Sequence, residues 1–460
     1  MTTPALSSSF RDPSGFVFVR DGRLYRQVNE SFADEYDRLM ASGLYQALVD
    51  DGLLVRHEEV DLELAAAPGA HRILAPEVVP FVSYPYEWCF GQLKDAATVT
   101  LRIQAKAMEF EMSLRDASAY NIQFVEGRPV LIDTLSFEPI REGEPWVAYR
   151  QFCQHFLAPL ALMARVDVRL GQLLRIHVDG IPLDLAAALL PRSSRRSPGL
   201  LMHVVMHARS QAKHADDRER PATGRRGFSA RAFEGLVDSL RGTVEKQGWE
   251  PGDSTWSDYY RQSVSYTEEA LQHKQEVIGA ALEQVGPQTV WDLGGNTGLF
   301  SRLATARGAR AVCFDGDHAA VEINYRAARA EGEVRLLPLV MDLANPSPGL
   351  GWANSERPSL GDRGPADLVL ALALIHHLAI GNNVPFARVA EWFAELAASL
   401  VVEFVPKQDP EVQALLVTRE DVFAGYTQEG FEAGFGERFS IEDRWALRGS
   451  DRTVYLMRRR

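Results

Sequence analysis

The chain has 460 residues, of which 46% are hydrophobic and 24% charged, and it carries a formal net charge of −13. That length provides for two or three domains, each with its own core, and the acidic balance argues against general nucleic-acid binding, which is driven by phosphate neutralisation. Cys89, Cys153 and Cys313 are far apart and form no CxxC pair, so no disulfide framework and no metal site is expected, only packing in a reducing cytoplasm.

The opening residues MTTPALSSSFRDPSG lack a basic region leading into an apolar one, which reads as a loose tail and not as a secretory signal. Apolar runs such as Leu368 to Ile375 are too short to span a bilayer, so no membrane association is expected. The stretch GFVFVRDGRLYRQV predicts a β-hairpin, and Ala33 to Met40, with Glu35, a helix after it. Met112 to Glu138 reads MSLRDASAYNIQFVEGRPVLIDTLSFE. Arg115, Asp116 and Asn121 precede two short strands, Ile122 to Val125 and Pro129 to Ile132, which are joined by Glu126-Gly127-Arg128 and deliver Asp133.

This segment resembles the HRDxxxxN catalytic loop and metal-binding acid of protein kinases and aminoglycoside phosphotransferases. The resemblance implies an N-terminal α+β kinase-like domain over residues 1–190, with Asp116 at an acceptor hydroxyl and Asn121 and Asp133 on magnesium. The departures are large: no glycine-rich phosphate loop, Arg26 where the strand lysine belongs, and Thr134-Leu135 in place of Phe-Gly. Phosphoryl transfer depends on positioning and electrostatics. A degenerate domain that recognises substrate or partner is therefore expected, beside the plainer alternative of acids and amides capping turns. Pro145 to Ala164 has helical apolar spacing and reads as core.

Composition shifts at PRSSRRSPG and DDRERPATGRRG, so residues 191–252, including the helical run LLMHVVMHARSQAKHA, are expected to be a basic helical linker. Its arginines read as a solvated surface or as a docking site for an acidic partner. The remainder, 253–460, opens on WSDYYRQSVSYTEEALQHKQ, Trp256 to Gln275. That run is a lid with Tyr266 in contact with a ligand, or an aromatic face packed on a sheet.

Next comes VWDLGGNTGLFS, Val290 to Ser301, which reads as strand, tight turn and helix. Gly294, Gly295 and Gly298 allow backbone angles and close approaches that a side chain forbids. The spacing is DxGxxxG and departs from the dinucleotide fingerprint GxGxxG. Asp292 would repel phosphates and favour a cationic guest. A second strand ends in Asp315 before a helix from His318, roughly 20 residues on, where an acid holds ribose hydroxyls; Asp317 is its competitor or a helix N-cap. A third strand, Val334 to Asp342, again ends in an acid. A fourth runs from Ala366 towards His376 and His377, a fifth from Ser399 to Pro406 carries Glu403, and two strands around Gly449-Ser450-Asp451 form a terminal hairpin.

In this order the motifs resemble the class I S-adenosylmethionine (SAM)-dependent methyltransferases. The resemblance implies an α/β, Rossmann-like doubly wound sheet with an antiparallel terminal hairpin. It further implies that Asp292, Gly294, Gly295, Asn296 and Gly298 shape the methionine end of the pocket, Asp315 holds the ribose and Asp342 approaches the adenine. His376, His377 and Glu403 are the candidates for taking a proton from an acceptor. The alternative for the histidines is that they close the pocket or cap a turn, and Glu403 is a buried partner or a pocket acid. The whole chain is also similar, in YPYEW and in the Asp116 to Asp133 segment, to nodulation-protein-like bacterial methyltransferases. The function expected is cytoplasmic SAM-dependent methyl transfer to a small molecule. Its rivals are an ATP-dependent phosphotransferase using Asp116, Asn121 and Asp133, and a SAM-binding module without catalysis.

Overall fold

A computed structural model describes residues 5–209, 228–252, 267–417 and 420–460. The chain divides into two compact units, Met1–Glu250 with Leu350–Arg357, and Pro251–Gly349 with Pro358–Arg460.

The first unit begins with a four-stranded antiparallel sheet in the order β1-β2-β4-β3, where β1 is Gly15–Arg20, β2 Arg23–Asn29, β3 His57–Val60 and β4 Ala70–Pro76. The predicted hairpin is β1–β2. Its two-residue turn, Asp21 and Gly22, takes left-handed angles (φ 52° and 74°) that match strand twist. The helix Ala33–Ser42 buries Tyr36 and Leu39, and Tyr36 joins Val28, Phe32, Leu74 and Leu135 in one core cluster. The expected loose tail is tied from its first described residues. Leu6 donates its N–H to Val17 O at 2.8 Å, and Asp12 pairs with Arg115 at 3.0 Å.

Beyond the helix Phe90–Glu109 come two small antiparallel pairs, β5 (Met112–Leu114) with β8 (Phe137–Pro139), and β6 (Ile122–Val125) with β7 (Arg128–Leu131). The expected core helix is present as Tyr149–Phe152 continuing through a π turn, Cys153–Leu157, into Ala158–Arg165. The stretch read as a linker folds with this unit over its described part. The helix Ala230–Glu245 buries Phe233, Val237, Leu240 and Val244 at helical spacing and packs on Phe90–Glu109. The arginine-rich run 216–227 lies outside the described residues.

The second unit is a seven-stranded sheet in the order β11-β10-β9-β12-β13-β15-β14. Its strands are β9 Thr289–Leu293, β10 Arg310–Asp315, β11 Leu336–Val340, β12 Ala366–Ala371, β13 Ala397–Phe404, β14 Phe439–Ala446 and β15 Thr453–Arg459. The first five are parallel, and β15 runs antiparallel to both β13 and β14. This is the doubly wound sheet with a terminal hairpin that the methyltransferase resemblance implies. Val290, Ala311, Leu368, Leu370 and Val401 build its core with Ile278, Ala281 and Phe300 from the helices Glu268–Val285 and Leu299–Thr305. Among the described residues no helix is long and apolar enough to cross a membrane.

Candidate functional site

In register, Asp292 of β9 lies beside Cys313 of β10 and Leu370 of β12, so the turn after β9 leaves the middle of the sheet at its carboxyl edge, where open α/β sheets bind ligands. Gly294, Asn296 and Gly298 are left-handed, at φ 76°, 52° and 82°. Gly295 answers to a different demand. A Cβ there would stand 2.5 Å from Cys313 Sγ and 2.7 Å from Asp292 Oδ2, inside any real contact. The N–H groups of Gly294 and Gly295 both donate to Phe314 O, at 2.8 and 3.0 Å.

Asp315, at the end of β10, is tied directly to this turn. Its Oδ2 accepts from the Asn296 N–H and its Oδ1 from the Asp317 N–H, both at 2.8 Å. Each oxygen keeps a further acceptor direction, which suits a pair of vicinal hydroxyls. Asp317 caps the helix His318–Glu331 through the Ala319 N–H. Asp292 is buried and accepts from Ser301 Oγ at 2.6 Å. Burial pushes both acids up to about 6; the Ser301 hydrogen bond opposes this at Asp292, and the Asp317 and Asn296 N–H groups oppose it at Asp315. Asp342 lies two residues past β11, exposed, with its carboxylate accepting from the Ala344 N–H at 2.9 Å. The N–H of the intervening Met341 donates to Asp315 O at 2.8 Å. The three acids thus end three adjacent strands. Tyr266 lies outside the described residues.

On the other side of β9, the chain leaving β12 passes through Ala373, a left-handed non-glycine residue at φ 51°, to His376 and a π turn, His377–Gly381. Leu374 Cδ1 lies 3.5 Å from where a Cβ on Gly294 would stand, so this loop lines the glycine turn. His376 is fully buried, and neither ring nitrogen has a hydrogen-bond partner among the described residues. Burial, with His377, Arg452 and Lys274 nearby, holds it well below the usual histidine value and therefore neutral. The His376 and His377 rings are 4.2 Å apart. Glu403 is fully buried, and its Oε2 accepts from Lys274 Nζ and from the Ala373 N–H, each at 2.7 Å. Arg452, also buried, lies 3.9 Å from Glu403 and pairs with Asp409 at 2.7 Å.

Ser301 and Lys274 contact Asp292 and Glu403 in this site although the sequence patterns above do not mark either as a site residue. Lys274 had a signal: it falls in the buried stripe Ala270, Lys274, Val277, Ile278, Ala281, and a lysine in an apolar stripe asks for a buried acid, which Glu403 inside its own apolar run supplies.

In the first unit, the residues singled out around Asp116 meet in space. Asp116 sits against Asn121 and Gln151 and feels the charge of Asp133, and its pKa is raised mainly by burial. Asp133 is engaged on both oxygens. Oδ1 takes Arg26 Nη2 at 2.6 Å and the Leu135 N–H at 3.1 Å, and Oδ2 takes Ser136 Oγ at 2.7 Å. Asp133 also serves as the N-cap of a short 3-10 turn.

No family model matches the chain. Among solved structures it is similar to magnesium protoporphyrin IX methyltransferase from Synechocystis PCC 6803, determined with SAM (18% identity, 45% of this chain, 92% of the other, TM-score 0.32). It is also similar to the N-methyltransferase NodS from Bradyrhizobium japonicum WM9 (11% identity, 42% and 97%, TM-score 0.32). The fold assignment rests on the strand order and not on these likenesses. Among curated proteins it is 34% identical over 467 aligned residues to the nodulation protein NoeA of Rhizobium meliloti (strain 1021), spanning 99% of this chain and 96% of that one. With both units included in that alignment, the chain belongs to the NoeA family of nodulation proteins.

Proposed function

We propose that the protein is a SAM-dependent methyltransferase acting on a small-molecule acceptor. The observation that carries this is the bond from the Asn296 N–H to Asp315, which joins a glycine turn on β9 to a carboxylate on β10 at one edge of a parallel sheet. The residues fit the cofactor. Gly294 and Gly298 take left-handed angles and themselves bring no side chain into the turn, Asp315 has acceptor capacity for ribose hydroxyls, and acids set the local charge as a sulfonium and an ammonium require. When bound, SAM supplies an electrophilic methyl group, so little is asked of the protein beyond alignment and proton removal. Of the two histidines, His377 keeps some exposed surface and is the one suited to receive that proton, while the fully buried, neutral His376 packs beside it. Asp342, ending the adjacent strand, is assigned to the adenine side. Three free, buried cysteines fit a reducing compartment such as the cytoplasm.

For the first unit we infer a degenerate kinase-like domain that no longer transfers phosphate. In support, the Arg26 guanidinium lies 2.6 Å from Asp133, so a cation of the protein's own already neutralises the acid that magnesium would need. Calorimetry tests both readings. SAM should bind the wild-type protein and Asp133→Ala, and should fail to bind Asp315→Ala, while magnesium-ATP should give no heat with any of them. Tight ATP binding lost only in Asp133→Ala would replace the second reading with an active phosphotransferase. SAM binding without turnover across a broad acceptor panel would favour a sensor over an enzyme.

A further inference from the structure

Lys274 and Glu403 are buried with side-chain exposures of 1% and 0% and meet at 2.7 Å. Two charges at that depth are retained only when each is compensated. The surroundings show what else the pair touches. Lys274 Nζ lies 4.9 Å from the centre of the Phe300 ring, at the start of the helix that follows the glycine turn. Glu403 uses the same Oε2 to accept from the Ala373 N–H at 2.7 Å. Ala373 is the residue that leaves β12 in a left-handed conformation, φ 51°, which costs an alanine roughly 1–2 kcal/mol. Immediately after it come Leu374, against Gly294, and the buried His376.

We propose that Glu403 is a positioning residue: held in place by Lys274, it fixes the left-handed Ala373 and so sets the Leu372–His376 loop as the wall of the cofactor turn. The proposal rests on the reading of that turn as the SAM site. It also removes Glu403 from the candidates for proton transfer. With no exposed surface and two donors on one oxygen, the carboxylate does not meet an acceptor. The strained residue explains why the acid is needed. A charge-assisted hydrogen bond at the Ala373 amide is stronger than a neutral one and offsets the preference of alanine for the right-handed region.

The test compares paired variants, so that no charge is left buried alone. Lys274→Met with Glu403→Leu removes the acceptor for the Ala373 amide. It should weaken SAM binding, read by calorimetry, by about tenfold, the size expected for releasing one left-handed alanine, and should speed hydrogen exchange at that amide. Adding Ala373→Gly, which adopts φ near 50° unaided, should restore most of the affinity, as should Lys274→Met with Glu403→Gln, which keeps the acceptor. Affinity unchanged in the first pair, or a loss that neither glycine nor glutamine recovers, overturns the proposal. If the leucine pair does not fold, exchange in the wild-type protein decides. The Ala373 amide should be the most protected in Leu372–His376, and exchange as fast as its neighbours refutes the tether. If the wild-type protein binds no SAM, the cofactor reading falls, and the exchange experiment still judges the tether by itself.

Discussion

Asp315 has its carboxyl pushed up from 3.8 to about 6, first by burial. A carboxyl raised in the folded state contributes stability that is fully present below its unfolded value and is lost as pH rises through the folded one. The ligand-free protein is thus helped by protonation at this residue, and at pH 7 it holds a carboxylate with no partner of opposite charge among the described residues. A guest that donates hydroxyls and carries positive charge favours the ionised form and draws the pKa back down. The linkage fixes the sign for binding: SAM affinity should be greatest above pH 6 and should fall towards pH 5, approaching tenfold per unit for each such carboxylate. Calorimetry between pH 5 and 8 checks it. Asp315→Asn, which cannot ionise, should weaken binding at pH 8 and flatten the curve, and a flat wild-type curve would contradict the assignment. Gly295 gives a second test at this scale. Its missing Cβ would overlap Cys313 Sγ and Asp292 Oδ2, so Gly295→Ala should destabilise the protein by roughly 1–3 kcal/mol in urea titrations, the usual size of overpacking.

Among the elements, β9 and β10 were legible because each is a short apolar run closed by glycine or an acid, and the terminal hairpin because two strand-like segments flank the Gly449-Ser450-Asp451 turn, signals carried by adjacent residues. Asp292 and Asp315 could be found for the same reason: each marks the end of its own strand. Lys274, 129 positions from Glu403 along the chain, pairs with it only through the tertiary fold, and local pattern shows one charge misplaced without showing its partner. The helix Ala230–Glu245 was obscured differently. Arginine-rich flanks suggested a solvated linker, while the stripe Phe233, Val237, Leu240, Val244 that packs the helix was outweighed by composition. The packing makes a prediction that a linker would fail. Leu240 is 0% exposed, so Leu240→Ala should cost about 2–5 kcal/mol of unfolding free energy by denaturant titration. A change within about 0.5 kcal/mol, the usual size for an exposed site, would mean that the helix carries no packing load.

For the whole molecule, the two units have different expected ligand chemistry, and hydrogen exchange across the full chain separates them. A ligand that binds only the native state stabilises it by RT ln(1 + [L]/Kd), about 2.7 kcal/mol at one hundred times Kd. With SAM at that excess, slowed exchange should centre on the turn Gly294–Gly298, the end of β10 at Asp315, the residues after β11 around Asp342, and the loop holding Ala373 and His376. Those segments lie at one edge of one sheet, so a guest bridging them should protect them together and with the same concentration dependence. Magnesium-ATP should change none of them. It should also leave Met112 to Glu138 unprotected, because Asp133 is already bonded to Arg26, Ser136 and the Leu135 amide, and displacing a guanidinium at 2.6 Å demands more than an exposed metal site would. ATP-dependent protection there would return the first unit to the phosphotransferases. SAM-dependent protection confined to that unit would displace the methyl-transfer site from the glycine turn altogether.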